Sequence, residues 1–126
     1  MYVYQQEDNT VATCSKQSSI PEGATWKEVE SVPDRAFRSA WRITGDAVAT
    51  DLPLAKEIAH ELRRAKREKD FAPHDEVIMK QIPSQDATQA ESDRVAIRDA
   101  DAVVQTAIDA CTDATELLDI HITEGL

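Results

Sequence analysis

Glycine, aromatic residues and cysteine are all scarce in this chain, and each scarcity removes a class of function. The only glycines are Gly23, Gly45 and Gly125, so no Gly-rich loop exists to cradle a phosphate. Aromatics supply 5% of the residues, and much of the 41% hydrophobic content is alanine. Such a composition predicts a thin core, elongated helices and burial completed by partner chains. The two cysteines, Cys14 and Cys111, lie far apart in the sequence, which argues against a disulfide framework and suits a reducing bacterial cytoplasm. There is no apolar run long enough to span a bilayer, and Met1 to Asp8 lacks the basic-then-apolar pattern of a signal peptide. Bases are in deficit too: 14 Lys and Arg face 24 Asp and Glu, a net charge of −10. An acidic surface of that kind repels nucleic acid and anionic membranes, so neither is expected as a partner.

What is present concentrates between Asp34 and Arg67. Trp41-Arg42-Ile43-Thr44 and Ala47-Val48-Ala49-Thr50 are short strand-like runs around Gly45-Asp46, and glycine's tolerance of positive φ makes that pair a tight hairpin turn. Asp51 stands at a helix N-cap position, with Pro53 in the first turn, where its missing N–H costs little. Leu54, Ile58 and Leu62, with Ala55 and Ala59 beside them, predict one apolar stripe on a helix running to about Arg67. Ala72-Pro73 is expected to interrupt it, with a short second helix from His74 to Gln81. Ile82-Pro83-Ser84 predicts a further break, with Ser84 as an N-cap. Upstream, Tyr2-Val3-Tyr4 and Thr10 to Thr13 read as strands around a Glu7-Asp8-Asn9 turn, and Thr25 to Glu30 as another. The 41–50 hairpin is their expected sheet neighbour.

From Ser84 to Glu124 there is neither Gly nor Pro, the longest helical signal in the chain. Ala90, Ile97, Val104, Cys111 and Leu118 recur at intervals of seven, and Ala100, Ala107 and Ala114 form a second register. A seven-residue apolar repeat predicts a coiled-coil seam, and alanine in the second register allows close approach of a neighbouring helix. Asp113 with Glu116 fits a capping box and marks a potential interruption. Ile120 to Thr123 reads as a terminal strand or a frayed end. Residues 84–126 carry ten carboxylates against Arg94 and Arg98 alone, so the chain's acidity resides mostly there.

The central segment also resembles a known pattern. Asp34-Arg35, Phe37-Arg38-Ser39-Ala40-Trp41, Asp51-Leu52-Pro53-Leu54-Ala55, the paired Arg63-Arg64 and the later Ile97-Arg98-Asp99 are similar to motifs of a large family of small phage proteins, the tail assembly chaperones. These proteins are encoded beside tail-fibre genes, and the similarity covers roughly residues 30 to 100. It implies a non-enzymatic accessory protein that helps a tail fibre fold, trimerise or attach, working in the host cytoplasm during assembly. It implies a tail-fibre or baseplate protein as partner. A homo-oligomer is expected, a trimer by analogy with trimeric phage fibres. The family usually has prolines shortly after its Leu-Arg-Asp; Ala100-Asp101-Ala102 stands there here, which favours one longer helix. A long helix also suits a structural component of the virion tail, the alternative reading. A third reading is an acidic regulator that binds a basic host protein.

No catalytic, metal or cofactor site is expected. His60-Glu61 lacks a second His four residues on, so the metalloprotease pattern fails. His74-Asp75-Glu76 points three ways on a helix and reads as a helix-start cluster. Cys111 falls on the apolar register and reads as a small hydrophobe. The basic run containing Arg63, Arg64 and Arg67 is too short, and too free of aromatics, for a nucleic-acid grip. It is expected instead to pair with the acidic C-terminal helix, in the same chain or a neighbour, through exposed ion pairs that set register. Phe37 and Trp41 read either as local core or, with Arg38 and Arg42, as a partner-binding surface, since Trp and Arg concentrate at hot spots. Ala90, Ile97, Val104, Ala107, Cys111 and Leu118 are the expected oligomer interface. The fold expected is α+β and mainly helical. It has an N-terminal antiparallel β region over 1–50, a basic helix and a short helix over 51–83, and an acidic heptad-bearing arm over 84–126.

Overall fold

The computed structural model describes residues 1–80 and 87–126. Strands come first and helices after: β1 (Tyr2–Gln5), β2 (Val11–Cys14), β3 (Trp26–Glu28), β4 (Trp41–Thr44), β5 (Ala47–Thr50), α1 (Leu52–Lys80), α2 (Ala87–Ala110) and α3 (Ala114–Thr123). The fold is α+β and mainly helical.

Local turn chemistry builds the β region. β1 and β2 pair antiparallel, with Tyr4 opposite Ala12, and the turn between them places Asn9 at φ 68°, a left-handed conformation that asparagine tolerates. Asp8 secures that turn by accepting from the Thr10 hydroxyl and backbone N–H, and these two bonds hold its carboxyl below the usual range. β3 pairs antiparallel on the other side of β1, giving the order β2-β1-β3. β4 and β5 form the expected hairpin around Gly45, whose φ of 61° suits the turn.

The hairpin does not extend the first sheet; the two sheets are separate. Trp41 is the reason. It is 0% exposed and packs with Val3, Val11, Val29 and Val48, and its indole N–H donates to the Asp34 carbonyl at 3.3 Å. A large indole buried between two β layers favours packing of their faces over hydrogen bonding of their edges. A 3-10 segment at Arg35–Ala40, capped by Asp34 through Ala36 N–H at 2.8 Å, carries the chain between them.

Three helical boundaries differ from the sequence reading. α1 starts where expected, with the Asp51 carboxylate accepting from Leu54 N–H at 3.2 Å, but it runs through Pro73 to Lys80 without a break. Proline inside a helix costs about 3 kcal/mol, and contacts to α2 on both sides of it offset that cost. The Arg94 guanidinium lies 5.5 Å above the Phe71 ring and pairs with Asp75 at 2.9 Å, and His74 lies 3.7 Å from Asp93. The second correction is that α2 ends at Ala110, so residues 84–126 are not one helix. The capping box ends it: Asp113 accepts from Glu116 N–H at 2.8 Å while Glu116 reaches back to Thr112 N–H at 3.3 Å, starting α3. Ile120 to Thr123 belongs to that helix, not to a strand. The expected break at Ile82-Pro83-Ser84 lies outside the described residues.

α1 and α2 run antiparallel, and the heptad seam of α2 closes on α1. Ala55 and Ala59 are fully buried and pack with Ile108, Cys111 and Leu117; Phe37 and Ala40 join the same cluster. Alanine on α1 brings the helices close enough for this small set to exclude water. Part of the apolar surface is thus buried within the chain: one cluster lies between the helices and another between the sheets, joined through the Phe37–Trp41 segment. The accessible surface is 8211 Å². A compact monomer of this mass would expose about 6700 Å², so the chain exposes more than that.

Candidate interaction surfaces

The basic run of α1 and the acids of α2 meet within the chain, in a ladder of polar contacts. At its centre Arg63 Nη1 donates to both Asp101 carboxylate oxygens at 2.9 and 2.8 Å, and Arg67 Nη1 donates to Oδ2 at 3.0 Å. The Arg63 and Asp101 side chains are 5% and 7% exposed. This pair is therefore buried, where the sequence suggested exposed ones. Arg63 Nε also donates to His60 Nδ1 at 3.2 Å. Because arginine only donates, Nδ1 must carry a lone pair, so the neutral ring holds its proton on Nε2 and donates to Asp109 Oδ1 at 2.8 Å. Lys56 Nζ closes the ladder on the Asp109 carbonyl at 3.0 Å. Arg64, placed in the same group by its sequence position, is instead exposed at the rim of a shallow concavity shared with Phe71 and Arg98.

His60 was weighed in the sequence only as a metal ligand and set aside, and neither Asp101 nor Asp109 was singled out as an ionic partner. A signal for Asp101 exists in hindsight: Arg63 continues the Ala55–Ala59 spacing, and Asp101 falls between Ile97 and Val104 in the same four-three spacing. An acid and a base each occupying a core position predict one another.

Of the two readings of the Phe37–Trp41 cluster, the structure shows local core: neither aromatic ring is available as a partner surface. Phe37 is 2% exposed, and its ring packs edge-on against His121 with centroids 5.5 Å apart. Trp41 is sealed between the sheets. Arg42 is half-buried and donates to the Trp41 and Ser39 carbonyls at 2.6 and 3.2 Å, while Arg38 stays exposed. The cation facing Trp41 is Arg35, with its guanidinium carbon 5.8 Å from the ring centroid.

The predicted oligomer interface divides in two. Ala90, Val104 and Cys111 turn inward and are buried or half-buried, Leu118 packs on the same core, and Ile97 flanks the arginine ladder. Val104, Cys111 and Leu118 pack on the cluster that contains Ala55 and Ala59 of α1, so α1 already covers that part of the seam. Ala107 belongs to the other register, Ala96-Ala100-Val103-Ala107-Ala110, which repeats in four-three steps on an adjacent face. That face is open: Val103 is 70% exposed, Ala96, Ala100 and Ala110 are exposed, and Ala107 is partly so. Ala96 and Ala100 also line a groove of about 280 Å³ beside Lys66, Asp70 and Leu126.

Among the described residues, no group of three or more His, Cys, Asp or Glu could hold a metal, and no helix is long and apolar enough to cross a membrane. Burial, followed by the nearby Glu116 carboxylate, pushes the Cys111 thiol above its usual pKa and away from thiolate chemistry. Compared with family models, curated proteins and solved structures, the chain matches none.

Proposed function

We propose that this chain is a non-enzymatic binding module, an accessory protein of a bacteriophage tail fibre that assists the fibre's folding, trimerisation or attachment. One structural observation carries the binding reading: α2 keeps a second apolar register after its first has been satisfied within the chain. A four-three repeat matches the seam of another helix, and fully burying a side chain such as Val103 contributes roughly 1.5–3 kcal/mol. The occupant is a second copy, in a trimer if it follows fibre symmetry, or a helix of the fibre or baseplate partner. The phage setting rests on the resemblance of residues 30–100 to the tail assembly chaperones.

Co-expression with a neighbouring fibre gene tests this reading. Soluble, trimeric fibre should increase with the protein and fall back when Val103 is changed to Glu. Unchanged fibre solubility and trimer yield would remove the proposal's support. The structural alternative, a virion component, keeps one favourable feature, the unbroken run of α2 through Asp99 to Ala110. Stoichiometric presence in purified particles would select it over a transient chaperone.

A further inference from the structure

We propose that the open edge of the N-terminal sheet docks an extended segment of another protein. That segment places a β-branched or aromatic residue beside Trp26 and an arginine or lysine beside Glu28. The inference does not depend on the phage setting.

The backbone phase sets up the edge. β3 is the outermost strand of the order β2-β1-β3. Gln5 N–H donates to Thr25 O at 2.9 Å and Val29 N–H to Met1 O at 2.8 Å. In an antiparallel ladder hydrogen-bonded pairs alternate with non-bonded ones. Lys27 therefore bonds toward Val3, while Trp26 and Glu28 turn their N–H and C=O groups outward. An incoming strand finds two donors and two acceptors in register, the requirement for strand addition.

The side-chain phase supplies the chemistry. Val3 points into the core, so Tyr2, Tyr4, Trp26 and Glu28 share the opposite face. Tyr2 and Trp26 meet edge-on with centroids 6.0 Å apart, and Trp26 remains 40% exposed. Three of the chain's six aromatic residues thus sit on one outer face, in a protein that has few to spend. Buried Tyr and Trp anchors dominate binding hot spots. A cross-strand neighbour of Trp26 gains most when it is aromatic or β-branched, and one opposite Glu28 when it is cationic. Lys27 does not neutralise Glu28, since it lies on the other face and its ammonium is 3.6 Å from Asp46.

The same residues disfavour a second copy as occupant. Antiparallel pairing of two β3 edges about their midpoint sets Lys27 opposite Lys27 and Trp26 opposite Glu28. Directly opposed like charges are destabilising, and lysine on an edge strand is a recognised guard against self-pairing. The edge is closed to its own kind and open to a segment of different sequence.

The test uses the full chain, nitrogen-15 labelled, with two acetylated peptides as probes: Thr-Arg-Thr-Val-Thr and its counterpart with Glu in place of Arg. The amides of Trp26 and Glu28 should exchange freely without peptide. With the Arg peptide they should shift and slow by about tenfold or more, with no such change for the Glu peptide. Glu28→Lys should reverse the preference, and Trp26→Ser should weaken both responses while the Val3 and Val11 amides keep their native shifts. The proposal is overturned if neither amide responds at millimolar peptide, or if both peptides act equally. Concentration-dependent protection without peptide would also overturn it, by assigning the edge to a second copy. None of these readings involves the fibre or the α2 register, so failure here is distinct from failure of the proposed function.

Discussion

Replacing Asp101 probes the helical arm at its most vulnerable point. Its carboxylate is 7% exposed and holds two guanidinium groups, Arg63 and Arg67, at 2.8–3.0 Å. Asp101→Ala leaves Arg63 buried without a counter-charge and next to a second cation. Removing one partner of a buried pair typically costs about 3–5 kcal/mol. At an m-value of about 2 kcal/mol per molar in urea, the unfolding midpoint should fall by roughly 1.5–2.5 M. Arg63→Met should cost less, because Asp101 keeps Arg67; the difference should be roughly the 1.5–3 kcal/mol of a charged hydrogen bond. The double variant Arg63→Met with Asp101→Leu should recover most of the loss, since apolar side chains of similar volume avoid the desolvation that the ion pair must repay. Urea unfolding followed by circular dichroism measures all three. A cost for Asp101→Ala below about 1 kcal/mol would rule out a buried pair, because that is the value of a solvated surface pair. An Arg63→Met variant less stable than Asp101→Ala would contradict the expected order.

Other perturbations follow from the same geometry. Pro73 is exposed within α1, so Pro73→Ala restores a helical N–H and should raise stability by up to about 3 kcal/mol in thermal or urea unfolding. A destabilised variant would mean that the proline serves an unseen constraint. Cys14, partly exposed, should react with a thiol reagent in the native state, and Cys111 only on unfolding. Because burial raises the Cys111 pKa in the folded state, its contribution is complete below the unfolded thiol pKa and declines as pH rises through the folded value. Unfolding midpoints of wild type and Cys111→Ala should therefore converge on the alkaline side.

Features set by neighbouring residues were legible in the sequence, and features set by distant ones were not. The Gly45-Asp46 turn, the Asp51 cap and the Asp113–Glu116 box each depend on two to five consecutive residues, and each lies where local chemistry predicts. Pro73 misled because its penalty is local while its compensation comes from Arg94 and Asp93, about twenty positions away. The heptad spacing correctly announced a seam, but periodicity carries no information about which helix closes it. α1 closes it because Ala55 and Ala59 let the backbones approach and because Arg63 finds Asp101. The Trp41 cluster was legible as apolar, but whether it faced inward depended on valines contributed by β1 and β2.

The open Ala96–Ala110 register of α2, with Val103 70% exposed, is proposed to take a second copy of this chain. Sedimentation equilibrium at micromolar to submillimolar concentration tests it most directly. A reversible oligomer is expected, a trimer by fibre analogy, and a monomer with unchanged circular dichroism for Val103→Glu. A wild-type chain that stays monomeric across that range, or a Val103→Glu variant that assembles as before, would contradict it.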